Sequence, residues 1–223
     1  MKEALWQSYN TPAIRLLDQH TGSNRAKKFI SGLNMDVKSS YGGGDALGLD
    51  VSTQDIASAF SAVANGGEYQ KASYIKKIKF TDNSIKNVNY DKKRAMRKST
   101  SYILLKMMEG VPYENKDAKE AKIKEFKGHA MKTGSVAYDD QMQAKLPDFA
   151  AKDGWVGGTT KNISVTLWTG YDSPNKPGHY LSKSNTKQRQ TLYADIMKKF
   201  AKNTDTSDSV SYTHLTLPTI YSV

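Results

Sequence analysis

Helices packed on an antiparallel sheet, an α/β arrangement, is the fold class this sequence predicts. Three observations carry the prediction. Apolar residues at helical spacing dominate the first half of the chain, at 13–17, 56–64 and 103–111. Three β-prone runs then follow one another between 131 and 171 with no helical pattern between them. A last helical pattern closes the chain at about 186–202. Helices, then a meander, then a closing helix build a sheet with helices laid on it.

The elements follow in order. Residues 2–9 read as the end of a helix, and Thr11-Pro12 restarts one, with Thr11 as cap and Pro12 at the first helical position. Ala13, Ile14, Leu16 and Leu17 supply its buried face and Gly22 ends it, so Ser8 and Asn10 sit at an elbow. A short helix covers 24–33, and Gly42-Gly43-Gly44 opens a turn. Ser52 caps the next helix with Asp55 in its first turn; Ile56, Ala57, Phe60, Val63 and Ala64 line its inner face, and Asn65-Gly66-Gly67 stops it. A hairpin is predicted from Tyr74–Phe80 and Ile85–Tyr90 around Thr81-Asp82-Asn83-Ser84. A helix over Tyr102–Val111 precedes the strands Met131–Tyr138, Gly154–Thr159 and Ile163–Tyr171. The last helix puts Leu192, Ile196 and Phe200 on one face.

The chain is 223 residues long, 38% apolar and 25% charged, an ordinary globular balance that argues against disorder throughout. Its apolar stretches are too short and interrupted to span a membrane. With no cysteine, disulfides, thiolate metal sites and a cysteine nucleophile are excluded. His20, His129, His179 and His214 lack ligand spacing, so no metal and no cofactor is expected. The net charge is +11, with lysines gathered at 76–79, 92–98 and 116–127. The last run, mixed with Asp117, Glu120 and Glu125, reads as a solvated, salt-bridged helix face. The field suits a polyanion such as an anionic cell wall. Nucleic acid is not an expected partner, because no zinc knuckle, helix-turn-helix or aromatic RNA-binding motif accompanies the lysines.

The strongest local signal is Lys132-Thr133-Gly134-Ser135 at the start of a predicted strand, where Gly134 lets a ligand backbone approach. Ser8-Tyr9-Asn10 precedes it. In this order S-x-N and K-T-G are two of the three motifs shared by β-lactamases and penicillin-binding proteins. Glu3-Ala4-Leu5-Trp6-Gln7-Ser8-Tyr9-Asn10-Thr11-Pro12-Ala13 resembles the stretch around S-x-N in bifunctional penicillin-binding proteins. So do Asp50 to Gly67, Asp153-Gly154-Trp155-Val156-Gly157-Gly158 and Trp168-Thr169-Gly170-Tyr171-Asp172 resemble its later segments, and the resemblance runs from Lys2 to about Lys202.

That resemblance implies the α/β (α+β) serine β-lactamase and transpeptidase-like fold, and peptidoglycan stem-peptide cross-linking by serine acyl transfer. It makes stem peptides and β-lactams the expected partners, and the extracytoplasmic face of a bacterial membrane the expected location. Ser8 would relay a proton and Lys132 would supply charge; Asn10, Thr133, Gly134 and Ser135 would hold substrate, with the Ser135 N–H as half of an oxyanion hole. The nucleophilic serine and its lysine, S-x-x-K, are expected upstream of Met1, with a glycosyltransferase domain and membrane anchor. The chain would then be an N-terminally truncated transpeptidase domain over 1–202. Ser73/Lys76, Ser173/Lys176 and Ser184/Lys187 fit the S-x-x-K spacing but follow Ser8, and are read as chance matches. A D,D-carboxypeptidase or β-lactamase, or a non-catalytic wall-binding module, shares the motifs. Met131 stands where the family commonly has glycine, which is expected to narrow the site. His129 is read as a surface or structural residue. Residues 203–209 read as a polar linker, and 210–223 as a tail derived from a sequencing adapter.

Overall fold

Helix α1 (Lys2–Trp6) and helix α2 (Asn10–Arg15) meet at a tight elbow in the computed structural model, which describes residues 1–36 and 41–208. Tyr9, rather than Thr11, precedes the first helical residue, so Thr11 and Pro12 lie inside the first turn, where proline needs no N–H partner. A π-helical turn, Leu16–Thr21, continues α2 and is closed by Gly22 at φ 75°. Helix α3 (Ser23–Gly32) and a 3₁₀ turn (Gly43–Ala46) lead to α4 (Thr53–Ala64). Ser52 and Asp55 form the expected reciprocal cap, each side chain accepting the other's backbone N–H at 3.1 Å.

Four short strands follow. β1 (Glu68–Gln70) pairs antiparallel with β4 (Lys92–Arg94), and β2 (Lys77–Lys79) with β3 (Ile85–Asn87). The expected hairpin is present but its ladder is shorter than the apolar run suggests, because both strands are exposed and nothing packs on them to extend it. Helix α5 (Lys98–Met108) and helix α6 (Val111–Glu114) complete the helical part. The lysine run after them is not a salt-bridged helix. It opens with a 3₁₀ turn, Lys116–Ala121, and buries Ala118, Ala121, Ile123 and Phe126, while its charged residues face water and make no ion pairs with one another among the described residues. Two of its inward positions are three apart, the period of a 3₁₀ turn.

The main sheet has the order β5 (Ala130–Ala137), β6 (Ala151–Thr159), β7 (Ser164–Gly170), all antiparallel, with α7 (Asp140–Gln143) between the first two. Helix α4 covers one face and α8 (Lys183–Ala201) the other. Gly157 and Gly158 on the central strand make room for both. A Cβ at Gly157 would stand 2.8 Å from the Phe60 ring of α4, and one at Gly158 would strike the Tyr193 hydroxyl of α8. Val111, Ile123, Phe126, Met131, Val156, Tyr193 and Met197 form the core on the α8 side. Each large side chain so buried contributes about 2 kcal/mol by removal from water.

Helix α8 does not bury the face its apolar residues mark. Leu192 and Phe200 are exposed, while Arg189, Gln190, Tyr193, Ala194 and Met197 face inward. The small residues of β6 decide this: the Arg189 guanidinium lies over Gly154 and the Tyr193 hydroxyl over Gly158. Nor is 203–208 a free linker. The Lys127 N–H donates to the Thr206 carbonyl at 3.0 Å, and Lys161 and Lys106 pair with Asp205 and Asp208 at 2.9 Å. The proposed adapter tail, 210–223, lies outside the described residues.

Candidate functional site

The elbow after α1 is held from below. The Trp6 indole N–H donates to the Met107 carbonyl at 2.6 Å, the Asn115 amide donates to the Trp6 carbonyl at 2.7 Å, and the Gln7 amide donates to the Glu114 carbonyl at 2.9 Å. The Trp6 ring lies so close over Gly110 that a Cβ there would overlap it. These contacts tie the end of α1 to α5 and α6 and fix the point at which Ser8 leaves the helix. Ser8 itself has φ 57°, the left-handed region that a side chain adopts at a cost of about 1 kcal/mol. Such strain persists where surrounding contacts over-determine the backbone. Trp6, Gly110 and Asn115 are positioning residues that sequence reasoning missed; Trp6 entered it as part of a resemblance, and Gly110 and Asn115 carry no local signal.

Lys132 comes to the same point from the sheet. Its ammonium donates to the Ser8 hydroxyl, and also to the Thr133 carbonyl at 2.9 Å. Burial pushes its pKa below the ordinary lysine value, since taking the ammonium out of water disfavours the charged form. Asn10 begins α2 two residues after Ser8 and is exposed. Thr133, Gly134 and Ser135 continue β5 from half-buried to exposed. β5 is an outer strand of its sheet, so half of its backbone groups face away from the ladder. A Cβ at Gly134 would meet just the Trp155 Cβ at 3.6 Å, so the protein itself does not crowd the strand there.

Ser135 also lines a cavity of about 780 Å³ between β5, the 116–121 turn and the start of α8. Ser8, Asn10 and Lys132 do not line it. Lys187, of one S-x-x-K pair, does; Ser73 and Lys76 line a separate groove, and Ser173 and Lys176 form a turn after β7. None of these serines or lysines is hydrogen-bonded to Ser8 or Lys132.

Of two residues close to Lys132 in sequence, one corrects an expectation and the other decides between alternatives. Met131 is fully buried against the α8 side, so it packs into the core and does not narrow the site. Of the two readings of His129, surface or structural, the structural one holds: it is 4% exposed, its Nε2 lies 2.8 Å from the Tyr193 hydroxyl, and burial lowers its pKa to about 4. Among the described residues no cluster of His, Asp or Glu is suited to hold a metal, and no helix is long and apolar enough to cross a membrane.

Residues 1–198 match the model of the penicillin-binding protein transpeptidase domain. The chain belongs to that transpeptidase family. It is 34% identical over 189 residues to penicillin-binding protein 1A of Streptococcus pneumoniae, covering 79% of this chain and 26% of that protein. It is 28% identical over 206 residues to penicillin-binding protein 1A/1B of Bacillus subtilis, covering 88% and 22%. Among solved structures it is similar to the penicillin-binding protein PonA1 from Mycobacterium tuberculosis, at a TM-score of 0.73 and 18% identity over 94% of this chain and 58% of that one. It is also similar to penicillin-binding protein 3 of that organism, solved with ampicillin, at 0.69 and 14% over 91% and 50%. The transpeptidase fold expected from sequence is therefore present, and the chain spans about a quarter of the length of the curated relatives it matches.

Proposed function

We propose that this chain carries the S-x-N and K-T-G part of a peptidoglycan D,D-transpeptidase site. The observation that carries the reading is the Lys132 ammonium held on the Ser8 hydroxyl beside the open edge of β5. An S-x-x-K serine from outside residues 1–223 would attack the carbonyl of the penultimate D-Ala of a stem peptide. Its hydroxyl proton leaves by its lysine and Ser8 to the departing D-Ala amine, and the amine of a second stem then displaces the serine from the acyl group. Lys132 keeps the relay serine oriented and adds positive charge for the substrate carboxylate, which the Thr133 and Ser135 hydroxyls bind. Asn10 bonds the substrate amide, and the Ser135 N–H stabilises the oxyanion. β-Lactams acylate the same serine. Such an activity would put the site on the outer face of a bacterial membrane, where stem peptides are cross-linked.

The test is acylation by a fluorescent penicillin in the full-length enzyme. Lys132→Ala should slow it about a hundredfold, the loss of one preorganised group worth about 3 kcal/mol, with a nearly unchanged denaturant melt. Lys132→Arg should not restore it, because a planar fork does not replace a compact ammonium. An alanine variant that reacts at the wild-type rate, or one whose slow rate comes with an equal loss of stability, would overturn the assignment.

A further inference from the structure

The positive charge of this molecule is concentrated in one place. Residues 71–98 hold eight lysines and two arginines against Asp82 and Asp91, so they carry +8 of the chain's +11. The structure gathers them on the β2–β3 hairpin and on β4, and both hairpin strands are exposed along their whole length. Arg94 is engaged by Glu68 at 2.7 Å. Among the described residues, Lys71, Lys76, Lys77, Lys79, Lys86 and Lys92 have no ion-pair partner. Lys77 and Lys79 point to one side of β2, about 7 Å apart along the strand.

A groove of about 530 Å³ lies at the root of the hairpin. Gln54, Ser58 and Ser61 of α4 form one wall, Tyr90 contributes to the other, and Lys71 and Lys76 stand at it. The hairpin root is fastened to α4, because the Tyr74 hydroxyl donates to the Gln54 side chain at 2.7 Å, and is closed on itself by the Tyr90 hydroxyl donating to the Ile75 carbonyl. Amide and hydroxyl groups in a concavity match a chain rich in hydroxyls, and a row of unpaired ammonium groups matches regularly spaced phosphates. We propose that the groove and hairpin bind a phosphodiester-linked polyol or sugar polymer. The hairpin also exposes Ile75, Ile78, Phe80 and Ile85, so a bilayer is the competing occupant. The groove beside the lysines, lined by Gln54, Ser58, Ser61, Asn65 and Tyr90, and the Asp82 carboxylate in the turn, which accepts the Ser84 N–H at 2.9 Å, favour the polymer.

The test needs no catalysis, so its outcome is independent of the transpeptidase reading. A labelled synthetic poly(glycerol phosphate) oligomer is titrated with the chain and followed by fluorescence anisotropy. Binding should saturate and weaken as salt rises from about 50 to about 200 mM. Replacing Lys76, Lys77, Lys79 and Lys86 together by Gln should weaken it by at least about tenfold, and Ser61→Trp, which fills the groove without changing charge, should weaken it comparably. Replacing Lys116, Lys119, Lys122 and Lys124 by Gln removes the same charge elsewhere and should change affinity by no more than about twofold. Circular dichroism melts confirm that each variant folds. Equal loss in the two quadruple variants, or no effect of Ser61→Trp, overturns the proposal. So does tighter binding to phosphatidylglycerol vesicles, which carry the same headgroup on a membrane, or equal affinity for duplex DNA of matched charge.

Discussion

Acid should loosen this domain through His129 well before its carboxylates are fully protonated. The imidazole is 4% exposed, bonded at Nε2 to Tyr193, with Nδ1 unpartnered among the described residues. Its pKa falls from an ordinary 6.5 to about 4 because burial disfavours the imidazolium. The unfolded chain therefore takes up a proton first. The histidine's contribution to stability is complete above pH 6.5 and is lost as pH falls toward 4. One unit of difference is worth about 1.4 kcal/mol, so the loss is about 2 kcal/mol at pH 5 and about 3 kcal/mol below pH 4. Urea melts at pH 7.5 and pH 5 measure it. His129→Gln keeps a polar group facing Tyr193 and cannot titrate, so wild type should lose about 2 kcal/mol more than the variant between the two pH values. Glu109 and Asp153, whose pKa values burial raises, change stability in the opposite sense but do so in both proteins. Parallel pH dependence in wild type and variant would refute the reasoning.

At Ser8 the backbone and the hydroxyl can be separated. Ser8→Gly should be about 1 kcal/mol more stable than Ser8→Ala by denaturant melt, because glycine accepts φ 57° freely, while both should acylate equally slowly in the full-length enzyme. Gly158→Ala should cost about 1–3 kcal/mol in the same assay, since its Cβ has nowhere to go between Tyr193, Ala130 and Met131. Residues 1–223 alone should show no band with fluorescent penicillin on a denaturing gel, and a labelled peptide containing Ser73, Ser173 or Ser184 would reverse the reading of those pairs as chance matches. Truncation after 209 should leave stability within about 0.5 kcal/mol, whereas truncation after 202 should lower the melting temperature measurably by releasing Thr206, Asp205 and Asp208 from their partners.

The order of elements was legible in the sequence because its signals are local. The Ser52 cap, the helix that follows it and the three β-prone runs each depend on neighbours a few residues away. The pairing of Ser8 with Lys132 was legible through motif order, and Gly134 through its place in the motif. What failed was decided by distant contacts. The inner face of α8 is set by the glycines of β6 and not by its own apolar residues, so periodicity pointed to Leu192 and Phe200 instead of Arg189 and Tyr193. Met131 looked like an obstruction because sequence does not say which way a strand residue faces. The β1–β4 pair was missed because three residues per strand are too few to show alternation. The anchoring of Trp6 by residues more than a hundred positions away left no local trace.

The Ser8–Lys132 bond joins residues 124 positions apart. In a chain synthesised from its N-terminus, Ser8 is made and its helix can form long before the strand bearing Lys132 exists. The ammonium reaches the hydroxyl after β5 has found β6 and the α1 elbow has docked on α5 and α6, which is late on any route dominated by long-range contacts. Until then the two halves of the site are apart: Ser8 lies on an undocked elbow free to leave φ 57°, and Lys132, once made, stays in water with its ammonium fully hydrated. If the site acts as proposed, reactivity toward a β-lactam would report that folding has finished, and conditions that delay the sheet should delay the reactive state by the same interval.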